Sequence, residues 1–219
     1  MKNILIMSLF LISTSLAYGG GVRVGNGGNI VRCQGETSFK SLEYVLTKDL
    51  YGRNVKPVKV ASLNESLDRI LKLISTKLPQ YKKSFQNYLT YFMNSQDDQP
   101  YVWHAGIIQT LDGDTVVLPY SCQNSLGTVD IVQAVVRTVE KKSNAEISIH
   151  FFYDGDQLFQ LSHEAPLQMS FLVVHEWIWD LTSDPQKNRR FDYLLHSTYA
   201  DQLTTQQLQN ELHNIGIAP

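Results

Sequence analysis

The sequence predicts an α+β fold, a single domain with helices at both ends around a small, mainly antiparallel sheet. Three observations carry that prediction. Apolar residues recur at helical spacing in the first part of the chain, at strand spacing from Tyr101 to Phe152, and at helical spacing again from Pro166. No internal repeat, low-complexity linker or composition break divides the chain. Its 219 residues, 43% hydrophobic and 18% charged, suit one large domain with an ordinary core. The 19 Lys and Arg against 21 Asp and Glu leave the chain mildly acidic with no basic stripe, which argues against a nucleic-acid partner. That hydrophobicity at so low a net charge also argues against disorder.

The first segment reads as a signal peptide over residues 1–17. Lys2 supplies the positive start, Ile4 to Ile12 the apolar stretch, and Ser15-Leu16-Ala17 a small-x-small cleavage site. The apolar run is well short of the ~20 residues that a bilayer span needs, and no other stretch approaches that length, so no membrane span is expected. Cleavage near Ala17 leaves residues 18–219 as one periplasmic or secreted domain. No cysteine at the cleavage site indicates a lipid anchor.

Export bears on Cys33 and Cys122, the only two cysteines. An oxidising compartment favours a disulfide between them, which on the chain-entropy model stabilises the fold by about 4–5 kcal/mol. The alternative is a thiolate nucleophile or metal ligand, but neither cysteine lies in a CxxC or near a His.

Residues 18–28 form a Gly-rich, flexible lead-in holding Gly19, Gly20, Gly21, Gly25, Gly27 and Gly28, followed by a short strand from Asn29 to Cys33. A phosphate cradle needs a strand before such glycines and a helix after them, the reverse of this order. Ser38 to Leu50 has helical spacing at Phe39, Leu42, Val45, Leu46 and Leu50. Ser62 and Glu65 make a capping-box pattern ahead of the face Leu63, Leu67, Ile70, Leu71 and Ile74. Pro79 begins a third helix with Tyr81, Phe85, Tyr88 and Phe92 in a stripe. The stripe reads as core, with a stacking surface for sugar or peptide as the alternative.

From Tyr101 the period shortens. Tyr101–Ile108 and Thr115–Leu118 flank Asp112-Gly113-Asp114 as a first hairpin, and Val129–Val139 with Glu146–Phe152 suggest a second. Asp154-Gly155-Asp156 reads as a further turn. Neither Asp-Gly-Asp triplet has the twelve-residue loop and closing Glu of a calcium site. A helix runs from Pro166 to about Leu181, with Glu164 as an acidic residue at a helix N-terminus. Another follows over Lys187–His196, and a last one runs from the Thr204–Gln207 capping pair to Gly216 as C-cap.

Chemistry concentrates in Phe171–Asp180. This helix is apolar nearly all round, so His175, Glu176 and Asp180 interrupt a buried element. Buried ionisable groups must be paired or metal-bound. The reading taken is a structural ion network in which Glu176 and Asp180, four apart on one face, pair with Arg189 and Arg190 of the next helix. His175 is then a core histidine. The alternative is a degenerate H-E-x-x-H site, with His175, Asp180 and His196 as zinc ligands, Asp192 as a further candidate, and Glu176 as the catalytic base. Trp179 stands where the second His belongs, and Asp180 lies about 140° around the helix from His175, a poor angle for chelation. No G-x-S-x-G elbow points to a serine nucleophile. Paired carboxylates for glycoside cleavage need not be near in sequence and stay open.

Several of these residues also occur together as motifs. Gly25-Asn-Gly-Gly28 precedes Cys33; Leu118-Pro119 leads to Cys122; Val132-Gln133-Ala134 follows, then Gln168 through His175-Glu176, Arg189 and Leu195. In that order they resemble a group of uncharacterised exported proteins of predatory Gram-negative bacteria, which share G-N-G-G before the first Cys, L-P-x-x-C mid-chain, and an apolar helix with H-E-x-x and an aromatic. The resemblance covers most of the mature chain, apart from the helical segment at 61–95. It implies the Cys33–Cys122 pairing and marks His175-Glu176 as a group feature. The expectation is thus an exported, soluble, non-catalytic binding or structural protein, needing no cofactor and meeting a protein or envelope component. A zinc-dependent envelope hydrolase or peptidase is the alternative.

Overall fold

The computed structural model describes residues 22–23, 28–33, 35–48, 55–108, 118–119, 122, 130–141 and 146–217. The signal-peptide segment and the Asp112-Gly113-Asp114 turn lie outside them. The fold is α+β, with helices before and after two small sheets.

The three-stranded sheet has the order β3 (Lys40–Ser41), β2 (Asn29–Arg32), β5 (Asp130–Gln133), all antiparallel. The four-stranded sheet has the order β1 (Val22–Arg23), β6 (Val135–Lys141), β7 (Ile147–Tyr153), β4 (Tyr101–Ala105). β6 and β7 form the second expected hairpin, in register from Val135 opposite Tyr153 to Lys141 opposite Ile147. The predicted strand 129–139 is divided at Ala134, where the chain passes from one sheet to the other. The Ala134 and Val135 N–H groups both donate to the Gly28 carbonyl there, at 2.9 and 3.1 Å.

β4 pairs in parallel with β7, Tyr101 opposite Ile149. Residues 109–117, and with them most of the expected hairpin partner Thr115–Leu118, lie outside the described residues. Alternation identifies a strand but not its neighbour, and the Trp103 and Phe151 rings, with centroids 4.3 Å apart, fasten β4 to β7. Asp154-Gly155-Asp156 does not turn the chain into a loop. Asp154 caps α4 (Gly155–Glu164) by accepting from Gln157 N–H, so Glu164 closes a helix instead of opening one. The lead-in also contributes β1, paired antiparallel with Val139 and Thr138.

The helices follow their capping signals. Ser62 accepts from Glu65 N–H at the start of α2 (Leu63–Lys77). α3 (Pro79–Thr90) places Tyr81, Phe85 and Tyr88 in the core, with Phe92 packed against it. α1 (Leu42–Thr47) is shorter than its apolar spacing suggests. α5 (Pro166–Ile178) is buried at every residue from Gln168 to Ile178, because α1, α2, α4 and α6 (Pro185–Leu195) all pack on it. α7 (Thr198–Gln202) was not foreseen. α8 (Thr205–Ile215) has the full Thr204–Gln207 capping box and ends on Gly216, whose φ of 82° favours glycine.

Cations of α2 bind the carbonyl ends of the C-terminal helices. Arg69 donates to the Leu195 and Ser197 carbonyls, and Lys77 to those of Ala200, Asp201 and Leu203. A disulfide joins Cys33 to Cys122 and sits in a small apolar cluster with Val31, Leu42, Val45 and Leu118. Among the described residues, no helix is long and apolar enough to cross a membrane.

Candidate functional site

The polar residues of α5 and the helices around it form connected sets. Glu176 is fully buried, and its Oε1 accepts a 2.6 Å hydrogen bond from the Gly28 backbone N–H. Gly28 is required for this approach, since a Cβ there would lie 2.9 Å from Leu172 Cγ and 3.2 Å from Val135 Cβ. Burial raises the Glu176 carboxyl above its ordinary range, opposed by His175, the Gly28 N–H and Arg137.

His175, one residue earlier, faces α1 and α6. Trp179 donates its indole N–H to His175 Nε2 at 2.9 Å, and Glu43 Oε1 of α1 lies 3.7 Å from the same nitrogen. The other Glu43 oxygen accepts from Arg189 Nε at 2.7 Å. Asn188 of α6 donates to the His175 carbonyl. Arg189 therefore does join a buried network, but its carboxylate is Glu43, not Glu176 or Asp180. Arg190 is exposed on α6. Asp180 finds its cation on β6: Arg137 Nη2 is 2.6 Å from Asp180 Oδ1, and the Tyr101 hydroxyl donates to Oδ2 at 2.6 Å. Burial, and then Asp180, push the Tyr101 hydroxyl upward in pKa.

A third set runs from α2 through α5 to the end of α6. His196 Nδ1 is 2.9 Å from the Asp192 carbonyl, which can only accept, so that nitrogen carries the proton. A neutral ring then leaves Nε2 as acceptor for the Ser170 hydroxyl at 2.8 Å, and Ser66 donates in turn to Ser170 Oγ at 2.8 Å. Burial lowers the His196 pKa to about 3, so the ring is neutral, stacked on Phe171 with centroids 3.9 Å apart.

Asp192 Oδ1 is 3.0 Å from His196 Nδ1, and with Ser170 this gives the spacing of a serine–histidine–aspartate triad. The electrostatics are opposite to what such a triad needs. Burial raises the Asp192 carboxyl well above its ordinary value, which works against the carboxylate charge that such a triad uses. Neither Asp192 carboxyl oxygen has a hydrogen-bond partner in this structure, despite the short contact. Ser170, His196 and Asp192 are fully buried.

The zinc ligand set does not fit these contacts. His175 Nε2 is occupied by the indole N–H, both His196 nitrogens are engaged, and both Asp180 oxygens are held by Arg137 and Tyr101. Among the described residues, no group of three or more His, Cys, Asp or Glu is arranged to hold a metal ion. Trp179, which breaks the H-E-x-x-H spacing, is thus the side chain that takes up the histidine nitrogen.

The structure brings His175 to Glu43 and Arg189, Glu176 to Gly28, Asp180 to Arg137, and His196 to Ser170 and Asp192. Glu43, Arg137, Tyr101 and Ser170 were not foreseen as participants. No local pattern marks Glu43 or Arg137, which lie in a short helix and in a strand. A Ser–His signal was available only in the apolar setting of Ser170, between Met169 and Phe171.

The chain matches no family model, no curated protein and no solved structure in the comparisons made.

Proposed function

We propose that this is an exported, non-catalytic binding or structural protein of the periplasm or the cell exterior, in which the His175, Glu176, Asp180 and Arg189 sets hold α5 to the rest of the domain. One observation supports this reading above others: Glu43, Ser170, His175, Glu176, Asp192 and His196 are each at most 2% exposed. These six groups are sealed in the core, where buried polar groups serve to fix a packing arrangement. Export rests on the Lys2, Ile4–Ile12 and Ser15–Ala17 pattern, and the motif resemblance supports it. The partner in this reading is a protein or another envelope component.

Native mass spectrometry of the oxidised mature protein beside a His175→Ala variant tests the proposal. The expected result is the bare chain mass for both, with the variant less stable. One zinc per chain that vanishes in the variant overturns it in favour of a zinc-dependent envelope hydrolase.

A further inference from the structure

On the face of the four-stranded sheet opposite the core side chains Trp103 and Phe151 stands a second histidine group that plays no part in the sets above. His104 of β4 and His150 of β7 lie on the same face as Phe152 and Thr138, as the strand register requires. His104 Nε2 is 3.0 Å from His150 Nδ1. The ring planes are within 11° and the centroids are 5.3 Å apart, farther than the nitrogens, so the rings meet edge to edge. His150 Nε2 is 3.1 Å from Glu140 Oε2 of β6. Phe152 stacks under His104 with centroids 4.8 Å apart and is itself 42% exposed.

We propose that His104, His150 and Glu140 form an acid-operated latch, closed while one proton lies between the facing nitrogens and opened when both imidazoles become cationic. The count of protons is dictated by geometry. Two nitrogens 3.0 Å apart can hold one N–H and one lone pair between them, and two N–H groups cannot face each other there. Glu140 favours a proton on His150 Nε2, which leaves His150 Nδ1 as acceptor for the His104 N–H. A first added proton can enter at His104 Nδ1 without disturbing that bond. The next must occupy the shared position, and the pair then carries two like charges in contact.

Among the described residues, the charged groups facing the pair are Glu140 from β6 and Asp97 from the segment between α3 and β4. Both favour protonation. Burial and the neighbouring His150 outweigh Asp97 at His104, whose pKa is lowered. On opening, His104 turns off Phe152 and releases the side-chain tie at the C-terminal end of β4, which stands last in its sheet among the described residues. The chain there continues through Gly106 to Ile107, which is fully exposed.

Proton NMR of the imidazole rings of the full mature protein from pH 8 to pH 4 tests the latch. The expected result is two coupled steps shared by His104 and His150, more than one pH unit apart. Phe152 ring signals should shift, and β4 amides exchange at least tenfold faster relative to the unfolded-chain rate, at the lower step only. His104→Gln keeps a neutral donor to His150 and should abolish the lower step and its effects. Glu140→Gln should move the upper step to lower pH. Independent single steps for the two histidines overturn the proposal, as does a β4 response that persists in His104→Gln.

Discussion

The Gly28 backbone N–H and the Glu176 carboxylate, 148 residues apart in the chain, meet at 2.6 Å. The last glycine of the Gly25-Asn-Gly-Gly28 motif is therefore the hydrogen-bond donor to the glutamate of His175-Glu176. The same glycine receives two N–H groups where the chain crosses between sheets. Gly28→Ala should destabilise by about 1–3 kcal/mol, since its methyl must displace buried Leu172 and Val135. Glu176→Ala should cost a similar ~1–3 kcal/mol by leaving the Gly28 N–H unpaired, and Glu176→Gln distinctly less. Urea unfolding of the three variants checks this order.

Trp179 is expected to act on His175 through its indole N–H as well as through its bulk. Trp179→Phe keeps most of the ring volume and removes the donor, so a loss of about 1 kcal/mol plus a small packing term is expected. A change in the His175 ring signals by NMR would show the lost bond directly. Unchanged ring signals would mean that the contact does not form in solution.

Ser170 should be chemically silent. A fluorophosphonate probe is expected to leave the native protein unlabelled, because the serine is sealed in the core and its histidine is held neutral. Ser170→Ala should lower stability by about 1–3 kcal/mol by orphaning polar groups of Ser66 and His196. Stoichiometric labelling abolished in Ser170→Ala would identify a serine hydrolase that opens to its substrate.

The pH dependence of stability should carry opposite contributions from neighbours. His196 is held neutral, with its pKa lowered to about 3, so the unfolded chain binds more protons between pH 6.5 and 3. Its contribution is fully present above pH 6.5 and is lost as the pH falls through that window. Asp192 is raised, so the folded chain binds more protons above the ordinary Asp range, and this group costs stability as the pH rises. Asp192→Asn should therefore gain stability relative to the parent as pH increases, read from thermal or urea unfolding at pH 4 to 8. A constant difference across that range would exclude a raised Asp192 carboxyl.

Local signals in the sequence were legible where they act locally. Ser62, Thr204, Gln207 and Gly216 cap their helices as their residue types require, and the Tyr81–Tyr88 stripe is core. The continuous burial of α5 followed from its apolar surface, and so did the need for partners to His175, Glu176 and Asp180. Which partners could not be read, because Glu43, Arg137 and Gly28 come from elements whose placement depends on tertiary packing. Proximity in sequence favoured Arg189 for Glu176 and Asp180, whereas α1 reaches Arg189 with Glu43. Asp154-Gly155-Asp156 misled for a related reason: the same residues that make a good turn also make a good helix start.

The Cys33–Cys122 bond spans 89 positions, and α1, α2, α3 and β4 all lie between its ends. In covalent terms the protein is a ring with an N-terminal arm that holds β1 and β2 and a long tail that holds β5 to β7 and the buried helix α5. A single peptide-bond cut inside the ring leaves two pieces joined by the disulfide, which separate covalently only after reduction. A cut in the tail divides it at once. A backbone break between Cys33 and Cys122 is thus held across the disulfide, while a break in the segment that carries His175 and Glu176 is held by non-covalent packing alone.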